Sequence, residues 1–290
     1  MHPAPSLLIF TTLSGAGLGF LFFLGLGMPA PTGWVAFGYF ALAYALAAGG
    51  LSASAFHLGH PERALKAFTQ WRSSWLSREA WAAVATLVVM ALYGTGLVFF
   101  GARLVPLGWI GAGLALATVV TTSMIYTQMK AVPRWHTPLT PALFLAISLA
   151  GGALFAGESG AALGLLVIAL ALQLAWWVRG DGAFAASGTD MGTATGLGTR
   201  GRLRSFEPPH TGPNYLLREM VFVVGRRHAT RLRVAAVILM TILPLILLSP
   251  PFGKVGAGLA ALVHLCGVAV SRWLFFAEAE HVVGLYYGAR

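Results

Sequence analysis

The residues of this chain with the most chemistry stand in one stretch, "HLGHPERALKAFTQWRSSWLSREAW", His57 to Trp81. Two histidines, two glutamates and four basic side chains occur together, between flanks that are almost wholly apolar. Histidine titrates near neutrality, and a buried carboxyl can also take up and release protons. His57 and His60 stand three apart, so on a continued helix they share a face, before Pro61 redirects the chain. Leu76-Ser77-Arg78-Glu79 reads as a helix start, with Ser77 as N-cap and Glu79 in the first turn. A histidine that closes one helix and a glutamate that opens the next come to similar depth. Trp71, Trp75 and Trp81 surround them as interfacial tryptophans do. Such a pair suits a quinone headgroup. That ligand needs an apolar slot open to lipid, a donor or acceptor at each carbonyl, and groups that exchange protons as electrons move. His60, Arg63, Lys66 and Arg78 are supporting candidates. The competing structural reading has His57 capping backbone carbonyls and Glu79 paired with Arg78 or Arg63. Arg272 and Trp135–His136 come next if the site lies elsewhere.

The elements that must position these residues are membrane helices. The chain has 290 residues, 57% hydrophobic and only 10% charged, against about 25% charged in an average soluble protein. Several apolar runs reach the roughly 20 residues that cross a bilayer. The expected fold is an all-α integral membrane bundle of eight helices in a single domain, near 6–27, 33–57, 80–100, 106–128, 138–156, 161–178, 234–250 and 255–276. The first run has no Lys or Arg before it, unlike a secretory signal, and reads as a retained span. Gly15 and Gly19 form a small-xxx-small pair expected to pack within the chain.

Eight spans put both termini on one side, together with the loops 58–79, 129–137 and 179–233. That side holds seventeen of the nineteen Lys and Arg residues, and the other side only Arg103 and Lys254. The positive-inside rule makes the rich side cytoplasmic, in a multi-pass protein of a bacterial inner membrane. The net charge of +10 is thereby explained by the bilayer, without nucleic acid. The long loop begins Gly/Ser/Thr-rich, which predicts an extended or flexible segment. It then turns aromatic, proline-rich and basic. Phe206, Pro208, Pro209, His210, Tyr215 and Arg218 are candidates for docking on a partner protein or on lipid headgroups.

Other chemistries fit poorly. The one cysteine, Cys266, cannot hold an iron–sulfur cluster alone, and no Cys-x-x-Cys-His haem attachment exists. His264 lies mid-span without a second histidine at its depth, so an interhelical hydrogen bond is expected rather than haem. "GLGTRG", Gly196 to Gly201, fits a dinucleotide fingerprint but lacks the strand and helix that such a site requires. A transporter or proton channel is the reading from another class, although no inverted repeat of broken helices is evident.

Four separated segments carry a family resemblance: "MHPAPSLLIFTTLSGAGLGF", "HLGHPERALKAFTQWRSSWLSREA", "EPPHTGPNYLLREM" and "RWLFFAEAEHVVGLYYG". They resemble the membrane anchor subunits of dimethyl sulfoxide reductase and its relatives, most of all the branch serving cytoplasmic, quinone-linked sulfite dehydrogenase. The resemblance covers essentially the whole chain. It implies a haem-free anchor that binds a subunit with four iron–sulfur clusters, which in turn binds a molybdopterin catalytic subunit. It further implies electron exchange with ubiquinone or menaquinone. The family's quinol-site histidine in "HLG" falls on His57, and its acid in "LS-x-E" on Glu79. In the sulfite branch electrons would enter the quinone; in the dimethyl sulfoxide branch they would leave quinol for the substrate.

Overall fold

The computed structural model describes residues 1–57, 60–201, 203–204, 206–207, 212, 214–221 and 227–287, with the side chains of His57, Pro61 and Arg200 outside that description. Among these residues the chain is helical and without strands, and eight helices are long and apolar enough to cross a membrane. They are α1 (Pro5–Leu26), α2 (Gly33–Phe56), α3 (Trp75–Phe99), α4 (Val105–Thr127), α5 (Leu139–Ala156), α6 (Ser159–Ala186), α7 (Ala229–Leu247) and α8 (Pro250–Ala277). Large apolar side chains such as Val88, Leu92, Val167, Ile168 and Val255 point outward, as they must where lipid replaces water.

α1 is the hub, packing on α2, α4 and α5 and touching α8. Small residues make this possible. A Cβ on Gly19 would overlap the backbone of Ser148 on α5, and one on Gly15 would stand 2.9 Å from Ser148 Oγ. The Gly15/Gly19 pair therefore serves contact inside the chain, where close backbone approach replaces the missing hydrophobic drive. α3 packs along α4, α5 along α6, and α7 along α8.

Two helices carry a π-helical turn. In α1 it spans Phe10–Ser14 and in α7 Ile238–Ile242. Such turns offset the backbone ladder and frequently mark functional positions. The α7 turn meets α8 directly: the Met240 carbonyl is 2.7 Å from His264 Nδ1. This is the interhelical bond expected of His264. Cys266, two residues on, faces outward.

Three boundaries differ from the sequence reading. α3 starts at Trp75 after an extended Ser74, whose side chain makes no capping bond. Ser77 is thus buried inside the helix rather than capping it, and Glu79 falls in the second turn. The α-helical part of α2 ends at Ala53 and continues only as a 3-10 turn, Ser54–His57. His60 has φ −137°, ψ 77° and does not extend a helix, so the shared face inferred for the two histidines does not form. The third difference is α6, which runs to Ala186, well into the segment expected to be extended. Buried Ala183 and Phe184 continue its packed face, and Asp181 is held by two arginines. Beyond it, Met191–Thr195 forms a short helix with a capping box between Asp190 and Thr193. The Thr193 amide holds the Asp190 carboxyl below the usual carboxylate range. Gly196–Gly201 follows a helix, not a strand.

Candidate functional site: a buried carboxyl and a polar seam

On α3, Glu79, Ala83, Thr86 and Met90 fall on one buried face toward α4. The α4 residues that answer them are hydroxyls. Thr122 Oγ1 donates to Glu79 Oε1 at 2.5 Å. About two turns deeper, Thr86 and Thr118 hydroxyls pair at 2.9 Å. Glu79 is 5% exposed, and among the described residues no cation pairs with it. Arg78 instead donates to the carbonyls of Trp71 (3.0 Å) and Arg72 (2.7 Å) and stacks 4.3 Å from the Trp75 ring. Arg63 lies 3.9 Å from Glu62. The pairing of Glu79 with Arg78 or Arg63 is therefore absent.

The polar seam continues inward. Thr122 shares a small internal space with Ser14, Thr11 and Ser148. Thr11 and Ser148 also line a second space with Thr12 and His264. Each is about 10 Å³, enough for about one water. One turn beyond Thr122, the ring of Tyr126 packs on Trp135, Phe144, Phe275 and Phe276 at 5.3 to 5.9 Å. Its phenol lies within electrostatic reach of both Glu79 and Arg272. Arg272, 1% exposed, places its guanidinium carbon 3.6 Å from the Phe144 ring centroid.

On another side of α3 from this carboxyl lies an open apolar shelf of about 430 Å³, lined by Trp71, Arg78 and Trp81; Trp81, two residues past Glu79, projects roughly 200° around the helix from it. Trp81 Nε1 donates to the Phe68 carbonyl at 3.0 Å, which fixes the 61–74 segment over the start of α3. The backbone turn that carries His57 packs against Pro61–Phe68, and that segment packs against α3. The His57 side chain lies outside the described residues. His60 bonds Glu62 at 2.9 Å in an exposed position, and Arg63 and Lys66 are exposed on the same turn. The stretch thus divides: Glu79 goes inside, Arg78 and the tryptophans form the rim, and the remaining charges face outward.

Of the docking candidates, Phe206 and Tyr215 are exposed at 89% and 60%, and Arg218 is also exposed. Pro208, Pro209 and His210 lie outside the described residues. The helix Tyr215–Met220 is capped by Asn214, and its Glu219 carbonyl accepts from the His2 amide at 2.7 Å.

Sequence reasoning missed an ion cluster on this same side. Arg134 Nη2 and Arg233 Nη2 both reach Asp181 Oδ1, at 2.7 and 2.6 Å. The same arginines reach Glu278 at 3.4 and 2.7 Å. The available signal was the pair of carboxylates at span ends in a chain with only nine acidic residues. Among the described residues, no group of three or more His, Cys, Asp or Glu side chains is gathered to hold a metal.

Residues 1–172 match the family described as DMSO reductase anchor subunit. Among curated proteins, a sulfite dehydrogenase subunit of Allochromatium vinosum is 33% identical over 329 aligned positions, covering 99% of this chain and 99% of that one. No solved structure matches.

Proposed function

The chain belongs to the family of DMSO reductase anchor subunits, and from that premise we propose that it is the quinone-reactive anchor of a three-subunit molybdopterin oxidoreductase. It holds an iron–sulfur subunit and, through it, a molybdopterin subunit at a bacterial inner membrane. The similarity to the Allochromatium sulfite dehydrogenase protein and the cationic bias of the termini-bearing side favour cytoplasmic sulfite oxidation, with electrons passing to the quinone pool. The family description favours a second reading, in which quinol is oxidised and dimethyl sulfoxide reduced. Phe206, Tyr215 and Arg218 belong to the proposed docking surface, with Pro208, Pro209 and His210.

The observation that carries the quinone reading is Glu79: a buried carboxyl in the second turn of a membrane helix, with a hydroxyl partner and, among the described residues, no countercharge. Intramembrane ionisable groups are costly and mark functional sites by default. The residues fit a quinone headgroup. In this reading Glu79 and His57 supply proton-exchanging hydrogen-bonding groups, and the apolar shelf at the start of α3 offers a way in from lipid. A bound quinone would contribute two-electron, two-proton redox chemistry. Thr122 keeps one carboxyl oxygen of Glu79 engaged and leaves the other to accept or donate a proton. Trp71 and Trp81 shield the shelf while Arg78, tied to two carbonyls, holds the rim rigid.

The test is to replace His57 by Ala and Glu79 by Gln in the whole complex. Losing one neutral hydrogen bond costs about 0.5–1.5 kcal/mol, roughly a tenfold loss of quinone affinity. A larger loss for His57→Ala points to proton transfer. Glu79→Gln keeps the shape and removes the exchangeable proton. Both variants should assemble with normal artificial-dye activity and impaired quinone-linked turnover. Wild-type quinone turnover in both would place the site elsewhere.

A further inference from the structure

We propose that a cationic cleft between the α4–α5 connection and the last turns of α6 binds the phosphate of an anionic phospholipid. The cleft measures about 360 Å³ and is lined by Lys130, Pro133, His136, Arg179, Ser187 and Thr189, with alanines from α6 as its floor. Three of these side chains can carry positive charge, two bring hydroxyls, and none is acidic. The nearest acid in sequence, Asp181, is turned to Arg134 and Arg233.

The cleft is built, not a chance gathering of surface charges. Arg179 Nη1 and Nη2 donate to the Pro133 and His136 carbonyls, both at 3.3 Å. That fork ties α6 to the connection and fixes the guanidinium at the cleft wall. His136 Nδ1 is 2.7 Å from the Thr127 carbonyl, so its other ring nitrogen is left for the cleft. Lys130 stands exposed at the mouth, and among the described residues it has no ion pair.

Depth and surroundings identify the source of the phosphate. Arg179 follows the start of α6 at Ser159 by about 20 residues, or about 30 Å of helix, which is the thickness of the hydrocarbon layer. Its charge therefore sits at headgroup level. Directly below it on the same helical face come Ala175, Leu172 and Ile168, at the i−4, i−7 and i−11 positions. Ile168 is 52% exposed, and Ala175 is exposed as well. An apolar strip under a phosphate-binding fork is a track for an acyl chain, which a free phosphate ion does not use. Basic pockets between membrane helices on the cytoplasmic side are suited to anionic headgroups. This site is separate from Glu79 and does not depend on the quinone reading.

The test titrates the purified protein, with and without its soluble subunits, by native mass spectrometry against phosphatidylglycerol, phosphatidylethanolamine and inorganic phosphate. Phosphatidylglycerol should be retained in preference to phosphatidylethanolamine. Lys130→Gln should weaken it about fivefold, and Lys130→Gln with Arg179→Gln about thirtyfold, from about one interfacial charge each. Among the described residues the Lys130 side chain has no partner to lose, so the single variant tests the idea even if the double variant loosens the connection. Equal retention of the two lipids, or unchanged binding by Lys130→Gln, overturns the proposal. Displacement by equimolar inorganic phosphate would make the cleft a small-anion pocket, and loss of lipid on adding the soluble subunits would make it a docking seat. Either result overturns the lipid assignment.

Discussion

Arg272 takes a guanidinium into the interior of the bundle, where its Nε has no hydrogen-bond partner among the described residues and the Phe144 ring lies beneath it. A desolvated cation–π contact contributes about 2 kcal/mol, while burying the charge costs several. The balance predicts that Arg272→Met, which keeps the length and packs on the same ring, melts no lower than wild type when the purified complex is heated. A melting point several degrees lower would reveal a countercharge at this position. Glu79 and its hydroxyl partner Thr122 differ in legibility. Glu79 stands out in the sequence because it opens an apolar run. Its partner does not, because Thr121, Thr122 and Ser123 are consecutive and only the rotational phase of α4 decides which one meets α3. Tyr126, one turn further along α4 and packed on Trp135, Phe144, Phe275 and Phe276, gave no signal for the same reason.

Between elements, the ion cluster performs a joining role that periodicity cannot forecast. Arg134 precedes α5, Asp181 belongs to α6, Arg233 to α7, and Glu278 caps α8. The Glu278 side chain is 4% exposed and faces both arginines. Removing one member of a buried pair leaves the others uncompensated and typically costs about 3–5 kcal/mol. Glu278→Gln should therefore destabilise the protein by about 3 kcal/mol, read as earlier loss of native assembly in a detergent or heat titration. No shift would mean that water already compensates the arginines. The number and order of the spans were legible because each is a long apolar run. Their ends were not. The Gly-Asp-Gly sequence after Arg179 looks like a helix terminator, yet Gly180 fits under Arg134, where a side chain would stand 2.6 Å from Nη1. The π turns left no trace either, since an offset of the backbone ladder changes no residue type.

At the scale of the whole molecule, the termini-bearing face is stitched together from distant parts of the chain. The amide of Val282 donates to Ala131 at 3.0 Å, Asn214 Nδ2 to Tyr287 at 3.2 Å, and Tyr286 to Ala194 at 2.5 Å. Burial, then the neighbouring N-terminal ammonium, holds His281 below the usual histidine range. This ordered face, with Phe206 and Tyr215 exposed on it, is the proposed seat of the iron–sulfur subunit. Deleting 206–220, which stops short of α7, should release the soluble subunits into the cytoplasmic fraction with their dye-linked activity intact. Release to the periplasm would reverse the proposed orientation, and full retention would remove this segment from the docking surface. The ion cluster also sets a schedule for biogenesis. Arg134 leaves the ribosome 144 residues before Glu278, an interval of roughly 7–30 s at about 5–20 residues per second. Until translation reaches the end of the last helix, the nascent chain holds Arg134 and Arg233 against a single carboxylate, so the final quarter of the bundle can lock only when synthesis is almost complete.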